Sequence, residues 1–152
     1  MLIALGADHA GFDLKERIRL WLAERGIEVL DLGPHAFTPG DDYPDSARIV
    51  ALSVAGGESD LGIIVCSTGI GSCIVANKVK GIRAALCHDT FSARLSRLHN
   101  DANVLCLGAN VVAPGLAADI VSTWVETSFS GEERHRRRLS QIADIESQGG
   151  DR

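Results

Sequence analysis

The feature that most constrains the fold is an alternation. Five short apolar runs, Leu2–Ala7, Ile27–Leu32, Leu61–Val65, Ile82–Cys87 and Val104–Leu107, are separated by stretches with helical spacing or helix punctuation. The runs are close to continuously apolar, as in strands buried on both faces. Strands that alternate with helices pair in parallel, because each crossover returns the chain to the same end of the sheet. The expectation is an α/β protein with a five-stranded parallel sheet covered by helices on both faces. A chain of 152 residues suits a single domain, 1–152, with a sizeable core.

Helices are expected over Leu14–Arg25, where Leu14, Ile18, Trp21 and Leu22 share a face, and over Ser46–Ala55, stopped by Gly56-Gly57. Further helices are expected over Ile70–Lys80, Phe91–Leu98, Val111–Phe129 and Glu132–Glu146. Gly26 suits a helix end and Pro114 a first turn. Asp41–Asp45, with Tyr43-Pro44, reads as a loop, and the polar tail 147–152 as frayed. No repeat of fixed period and no low-complexity linker interrupts the pattern.

Composition narrows the function. Hydrophobic residues make up 45% and charged ones 23%, ordinary for a soluble globular protein. A net charge of −5 argues against general nucleic-acid binding. No apolar run approaches the roughly 20 residues that span a membrane. Met1–Gly6 lacks a basic leader and reads as the first strand. Cys66, Cys73, Cys87 and Cys106 form no CxxC pair and no zinc spacing, so reduced thiols of a cytoplasmic protein are the simple reading.

In open parallel sheets ligands bind beyond the carboxyl ends of the strands. That rule selects Asp8-His9, Cys66 to Gly71, His88-Asp89 and Gly108-Ala109-Asn110. In Val65-Cys66-Ser67-Thr68-Gly69-Ile70-Gly71-Ser72 a thiol ends a strand and a glycine turn opens the next helix. Such a turn aims backbone N–H groups and the positive end of a helix at one point, which suits an anion and activates a neighbouring thiol. The plain alternatives are a connecting turn and a small core cysteine. A dinucleotide fingerprint is broken, because Ile74 stands at its third glycine and no acidic residue ends the following strand. Asp8 reads as a helix cap or a ligand, and His9 as a surface residue or a ligand. His99-Asn100 suits a helix end as well as a site. Cys73, Cys87 and Cys106 read as packing.

The last helix carries Arg134-His135-Arg136-Arg137-Arg138. Helical geometry places Arg134 and Arg138 on or beside the apolar face defined by Leu139, Ile142 and Ile145, while Arg136 points away and Arg137 lies well off it. Two guanidinium groups near an apolar face need an anionic partner, either a phosphate or an internal carboxylate.

Several motifs in order then carry a resemblance: Gly6-Ala7-Asp8-His9-Ala10-Gly11, Asp42-Tyr43-Pro44, Cys66 to Gly71, Ala76-Asn77-Lys78, Ser96 to Asn103, and Arg134-His135 with Arg138. From about residue 2 to residue 146 the chain resembles the type B ribose-5-phosphate isomerases, which include galactose-6-phosphate isomerase subunits. The resemblance implies a three-layer α/β/α Rossmann-like fold and a homodimer or dimer of dimers with shared active sites. It also implies no metal or organic cofactor, and aldose–ketose isomerisation of a phosphorylated sugar. Such chemistry needs an acid/base for ring opening, a base between C1 and C2, donors for an enediolate and an anchor for phosphate.

By resemblance, Cys66 is the proton-transferring base, Thr68 the hydroxyl that moves a proton between oxygens, and His99 the ring-opening acid/base. Asp8 and His9 contact substrate, Ser67 to Gly71, with Gly69 and Ile70, form the anion-holding loop, and Asn100 contacts the sugar or a loop. Arg134 and Arg138 hold phosphate, and Tyr43 walls the pocket. Two positions mark this chain out. A branch of the family uses a Glu in the glycine loop; here Cys66 is present and Ser72 occupies that place. The family commonly has Arg where Asn110 stands, so Asn110 contacts the phosphate end without charge, and Lys78, Arg136 or Arg137 can compensate. The implied reaction is ribose 5-phosphate to ribulose 5-phosphate. Alternatives are another aldose phosphate (allose, galactose or a tetrose) and a non-catalytic phosphosugar binder.

Overall fold

The structure is a computed structural model that describes residues 1–148. Five strands, β1 (Leu2–Ala7), β2 (Glu28–Asp31), β3 (Leu61–Cys66), β4 (Ala84–Leu86) and β5 (Val104–Gly108), form one all-parallel sheet in the order β2-β1-β3-β5-β4. Six helices intervene or follow: α1 (Phe12–Glu24), α2 (Tyr43–Ala55), α3 (Ile70–Ala76), α4 (Thr90–Asn100), α5 (Pro114–Glu126) and α6 (Glu133–Gln148).

Strand side chains alternate between two cores, as the period of two demands. Ile3, Leu5, Ile63, Val65, Leu105 and Leu107 face α1, α4 and α5, with Trp124 fully buried among them. Ala4, Ile64, Val104 and Cys106 face α2 and α3. The result is the expected three-layer α/β/α architecture. α1 follows β1 on one face and α3 follows the adjacent β3 on the other, so the crevice beyond β1 and β3 is the switch point of this sheet.

Helix ends depart from the sequence expectation for local reasons. α2 begins at Tyr43, inside the segment expected to be a loop, because Pro44 with its fixed φ fits the first turn. α3 stops at Ala76, short of the expected Lys80. There the Asn77 side chain turns to the sheet edge, where its Nδ2 donates to the Ala84 carbonyl (3.0 Å) and its Oδ1 accepts the Ala84 N–H (2.9 Å), as a neighbouring strand would. α5 is trimmed at both ends. Val111 and Val112 donate to the Gly108 carbonyl in a turn before Pro114, and Thr127 is already extended. α1 closes with Gly26 at φ 69°, its N–H on the Ala23 carbonyl and that of Ile27 on the Leu22 carbonyl. Of the tail expected to fray, Ser147 and Gln148 belong to α6, and 149–152 lie outside the described residues.

Candidate active site

The β3–α3 turn lies flat against the β5–α5 turn, and glycines make this approach fit. A Cβ on Gly108 would stand 2.7 Å from the Thr68 carbonyl carbon. Gly69, at φ 78°, would press a Cβ into Leu86 and to 2.9 Å from the Leu107 carbonyl carbon. A Cβ on Gly71 would stand 2.5 Å from the Tyr43 ring, so that ring takes the space above the turn. Ala109 N–H donates to the Cys66 carbonyl (2.8 Å), Asn110 N–H to the Ser67 carbonyl (3.0 Å), and Asn110 Nδ2 to Ser67 Oγ (2.9 Å). Cys66 is only 4% exposed. Its Sγ accepts the Gly69 N–H (3.1 Å) and the Ser72 hydroxyl (2.9 Å), which hold the sulfur at one point beneath the turn. The Thr68 side chain and Ile70 stand exposed beside it.

Across the switch point, Asp8 is buried, with its N–H on the Val65 carbonyl (3.2 Å) and its Oδ1 accepting the Gly11 N–H (2.9 Å). It closes the turn before α1 and does not cap the helix, whose first flanking residue is Gly11. His9 Nδ1 meets Asp41 Oδ1 at 2.9 Å, and Asp41 also takes the His9 N–H. The Asp41 side chain thereby raises the His9 pKa above its ordinary 6.5. Sequence reasoning missed Asp41 as this partner and missed the buried Lys15. Lys15 Nζ donates to Asp31 (2.9 Å) and to the Pro34 carbonyl (2.8 Å), pinning the segment that leads towards Asp41. The helical spacing of α1 puts Lys15 at the edge of the face of Ile18 and Leu22, and its charge hides that position. A cleft of about 270 Å3 opens beside Asn110, with Ala10, Asp13, Arg17 and Pro114 in its walls.

His99 and Asn100 lie elsewhere. α4 runs back along the sheet, and its 11 residues carry the chain roughly 15 Å at 1.5 Å each. The far end is fixed where the strands begin: Arg83, just before β4, donates from Nε to the Asn100 carbonyl (3.1 Å) and from its N–H to Asn103 Oδ1 (2.7 Å). There the His99 ring stacks on that of His135, centroids 4.3 Å apart and planes tilted 40°. His135 is 2% exposed and shares a 2.7 Å hydrogen bond with Ser130 Oγ. Burial, and then the neighbouring His99, push its pKa below the ordinary value.

The arginines correct one expectation. His135 is the only buried residue of α6 among those described, while Ile142 (46%) and Ile145 (70%) stand exposed. Among the described residues no apolar face closes over Arg134 and Arg138. Arg134 Nε pairs instead with Glu132 (2.8 Å), the internal carboxylate alternative, and Arg138 is exposed. Ile142 and Ile145 border an open cleft of about 450 Å3 with Ile82, Arg83, Ala84 and Asn100, beside the outer edge of β4 where Asn77 is bound.

The fold therefore gathers Asp8, His9, Tyr43, Cys66, Ser67, Thr68, Gly69, Ile70, Gly71 and Asn110 at one end of the sheet. It leaves His99, Asn100, Arg134 and Arg138 at the other. Cys87 and Cys106 are packed in the interior, as read from the sequence. Cys73 is only half-buried, and hydrogen bonding with the Cys106 thiol lowers its pKa to about 7. Among the described residues no cluster of His, Cys, Asp or Glu is placed to hold a metal ion, and no helix is long and apolar enough to cross a membrane.

The family described as Ribose/Galactose Isomerase matches residues 3–142. The chain is 50% identical over 144 residues to the ribose-5-phosphate isomerase B of Escherichia coli (strain K12), covering 95% of each. It is 46% identical over 129 residues to a D-erythrulose-4-phosphate isomerase of Pectobacterium atrosepticum, covering 85% of each. Its fold superimposes on the solved ribose-5-phosphate isomerase B of Clostridium thermocellum with a TM-score of 0.94 at 49% identity, over 97% of this chain and 99% of that one.

Proposed function

The chain belongs to the ribose/galactose isomerase family and is an aldose–ketose isomerase, and we propose that it interconverts ribose 5-phosphate and ribulose 5-phosphate through an enediolate with Cys66 as the base. One observation carries this reading: a single sulfur, fixed by the Gly69 N–H and the Ser72 hydroxyl, at the end of β3 beside the switch point. There Cys66, as the thiolate, takes the proton from C2 of the open aldose and returns it to C1. The charge that develops on the carbonyl oxygen meets the backbone N–H groups of the Ser67–Gly71 turn. The exposed Thr68 hydroxyl passes the proton between O1 and O2. Asp8 and His9 orient the sugar hydroxyls, and Tyr43 and Ile70 wall the site.

Ring opening requires an acid at the ring oxygen, and His99 is suited to it near neutral pH. Because His99 lies at the far end of its own chain, we assign it, with Asn100, Arg134 and Arg138, to the site of a second copy in a homodimer. The exposed Ile142 and Ile145 beside the open cleft support such a pairing. The arginines then grip the phosphate through bidentate hydrogen bonds. Four free thiols and a phosphosugar substrate fit a cytoplasmic enzyme of pentose phosphate metabolism.

A tetrose phosphate is the second reading. Asn110, occupied with Ser67, brings no charge to the phosphate end, and a relative 46% identical carries the erythrulose-4-phosphate name. Purified protein assayed on ribose 5-phosphate, erythrulose 4-phosphate, allose 6-phosphate and galactose 6-phosphate separates the substrates. Cys66→Ala is expected to lose about 10²–10⁴-fold in kcat on the preferred sugar. Unchanged activity in that variant excludes Cys66 as base, and binding of all four sugars without turnover makes the protein a sensor.

A further inference from the structure

We infer that His135 is a positioning residue for His99, its buried imidazole fixing the orientation of the His99 ring through their contact; this rests on the reading of His99 as the ring-opening group. The first ground is what α6 buries. Most of its apolar side chains face solvent, yet a histidine occupies its one buried position. Burying an imidazole costs free energy unless a partner satisfies it, and a leucine would fill the space without that demand. The partner is present: Ser130 Oγ at 2.7 Å from His135 Nδ1.

The second ground is how Ser130 is built in. Its N–H donates to the Leu98 carbonyl (3.0 Å), one residue before His99, while its hydroxyl holds His135. One residue thus ties the last turn of α4 to the first turn of α6, which fixes the two rings against each other at 4.3 Å. Phe129, its ring 6.5 Å from that of His135, stands beside the pair. The arrangement restricts His99 to one ring orientation, which a lone histidine at a helix end would not keep.

The third ground is charge. Two imidazolium ions at this spacing repel, which disfavours the charged form of the buried His135. The groups that act on His135 are His99 from α4, Glu132 from the preceding turn, and Arg134 and Arg138 from α6 itself. Glu132 favours its protonation; the other three and burial oppose it. His99 is the more exposed ring and lies in the last turn of α4, where the negative end of the helix favours a cation. His135 therefore stays neutral beneath the more exposed His99 ring.

Two variants divide the contributions. His135→Phe keeps an aromatic plate and removes the Ser130 bond and the competing base; His135→Gln keeps a hydrogen bond and removes the ring. In His135→Phe, kcat is expected to fall about tenfold with KM within about twofold and the unfolding temperature little changed. An unchanged kcat would overturn the inference. So would a loss of kcat matched by a loss of thermal stability, since that marks a purely structural residue.

Nitrogen-15 NMR of the wild-type imidazoles decides the matter if neither variant folds, or if no phosphosugar is turned over and the isomerase reading itself fails. The His135 ring is expected to titrate below 6.5; an ordinary midpoint for it sinks the pairing whatever the protein's activity.

Discussion

The two ends of the sheet differ in kind. Beyond the carboxyl ends of β1, β3 and β5, nearly every polar group is already engaged: Asp8 with Gly11, His9 with Asp41, Cys66 with Gly69 and Ser72, and Asn110 with Ser67. That end is rich in fixed donors; its Lys15 is buried against Asp31, and Arg17 stands exposed in the cleft wall beside Asn110. At the opposite end, His99 rests on His135, and Arg134 and Arg138 are exposed beside an apolar stripe that covers nothing. In the proposed reaction one end supplies the base and the oxyanion donors, and the other the ring-opening acid and the paired arginines. Each would supply what the other lacks, and a two-fold pairing of identical chains would bring unlike ends together twice.

The largest expected effect breaks the comparison if it is absent. Cys66→Ala and His99→Ala are each expected to be inactive when pure. Refolded together in equal amounts, half the dimers are mixed and one site in each mixed dimer has both residues. Activity is then expected to recover to about a quarter of wild type. No recovery, in a mixture that light scattering shows to be dimeric, would place Cys66 and His99 in the same chain's site or deny one of them a role.

A second effect sharpens the account of the turn. Gly69 and Gly26 both have positive φ, 78° and 69°. A Cβ on Gly26 meets nothing within 4 Å, whereas one on Gly69 meets Leu86 and the backbone of Leu107. Gly26→Ala is expected to lose about 1–2 kcal/mol, the cost of a left-handed alanine. Gly69→Ala adds overpacking, for about 2–5 kcal/mol in all. It also displaces one of the two donors to Cys66 Sγ, so its activity is expected to fall further than its stability explains. Urea unfolding beside a rate assay checks both, and equal losses in the two variants would deny the tight approach of the β3–α3 and β5–α5 turns.

Much of this was legible in the sequence because it depends on local pattern. Continuous apolar runs such as Leu61–Val65 gave the parallel sheet, and the carboxyl-end rule found Asp8, Cys66 and Asn110 at one edge. What escaped depends on distant partners. Lys15 carries a charge that reads as surface, and besides the adjacent Glu16 it is Asp31 and Pro34, 16 and 19 residues on, that make its burial tolerable. Asp41 reaches His9 across 32 residues from a segment with no periodicity. α3 ends early because Asn77 finds Ala84, a partner seven residues on at the sheet edge. The separation of His99 from Cys66 follows from topology rather than motif: a crossover helix must run against its strands, so its last turn lies at the end the sheet started from.

The smallest effect is one of pH, and its sign differs at the two ends. The His9 pKa is raised above 6.5 by Asp41, so the folded state holds that proton more tightly than the unfolded chain. Its contribution to stability is fully present below pH 6.5 and is lost as pH rises through the folded value. The His135 pKa is lowered from the same 6.5, so the folded state holds that proton less tightly, and stability is lost as pH falls from 6.5 toward the folded value. Asp41→Asn is therefore expected to bring the His9 midpoint, followed by proton NMR, down toward 6.5. Relative to wild type, that variant should be more destabilised at about pH 5 than at about pH 8, while His135→Phe should compare better with wild type at about pH 5 than at about pH 8. A shared direction in the two variants would mean that the histidines answer to the net charge of the chain rather than to the partners found here. An opposite direction keeps His9 as a paired surface imidazolium and His135 as a neutral ring, which is the distinction the two halves of the site require.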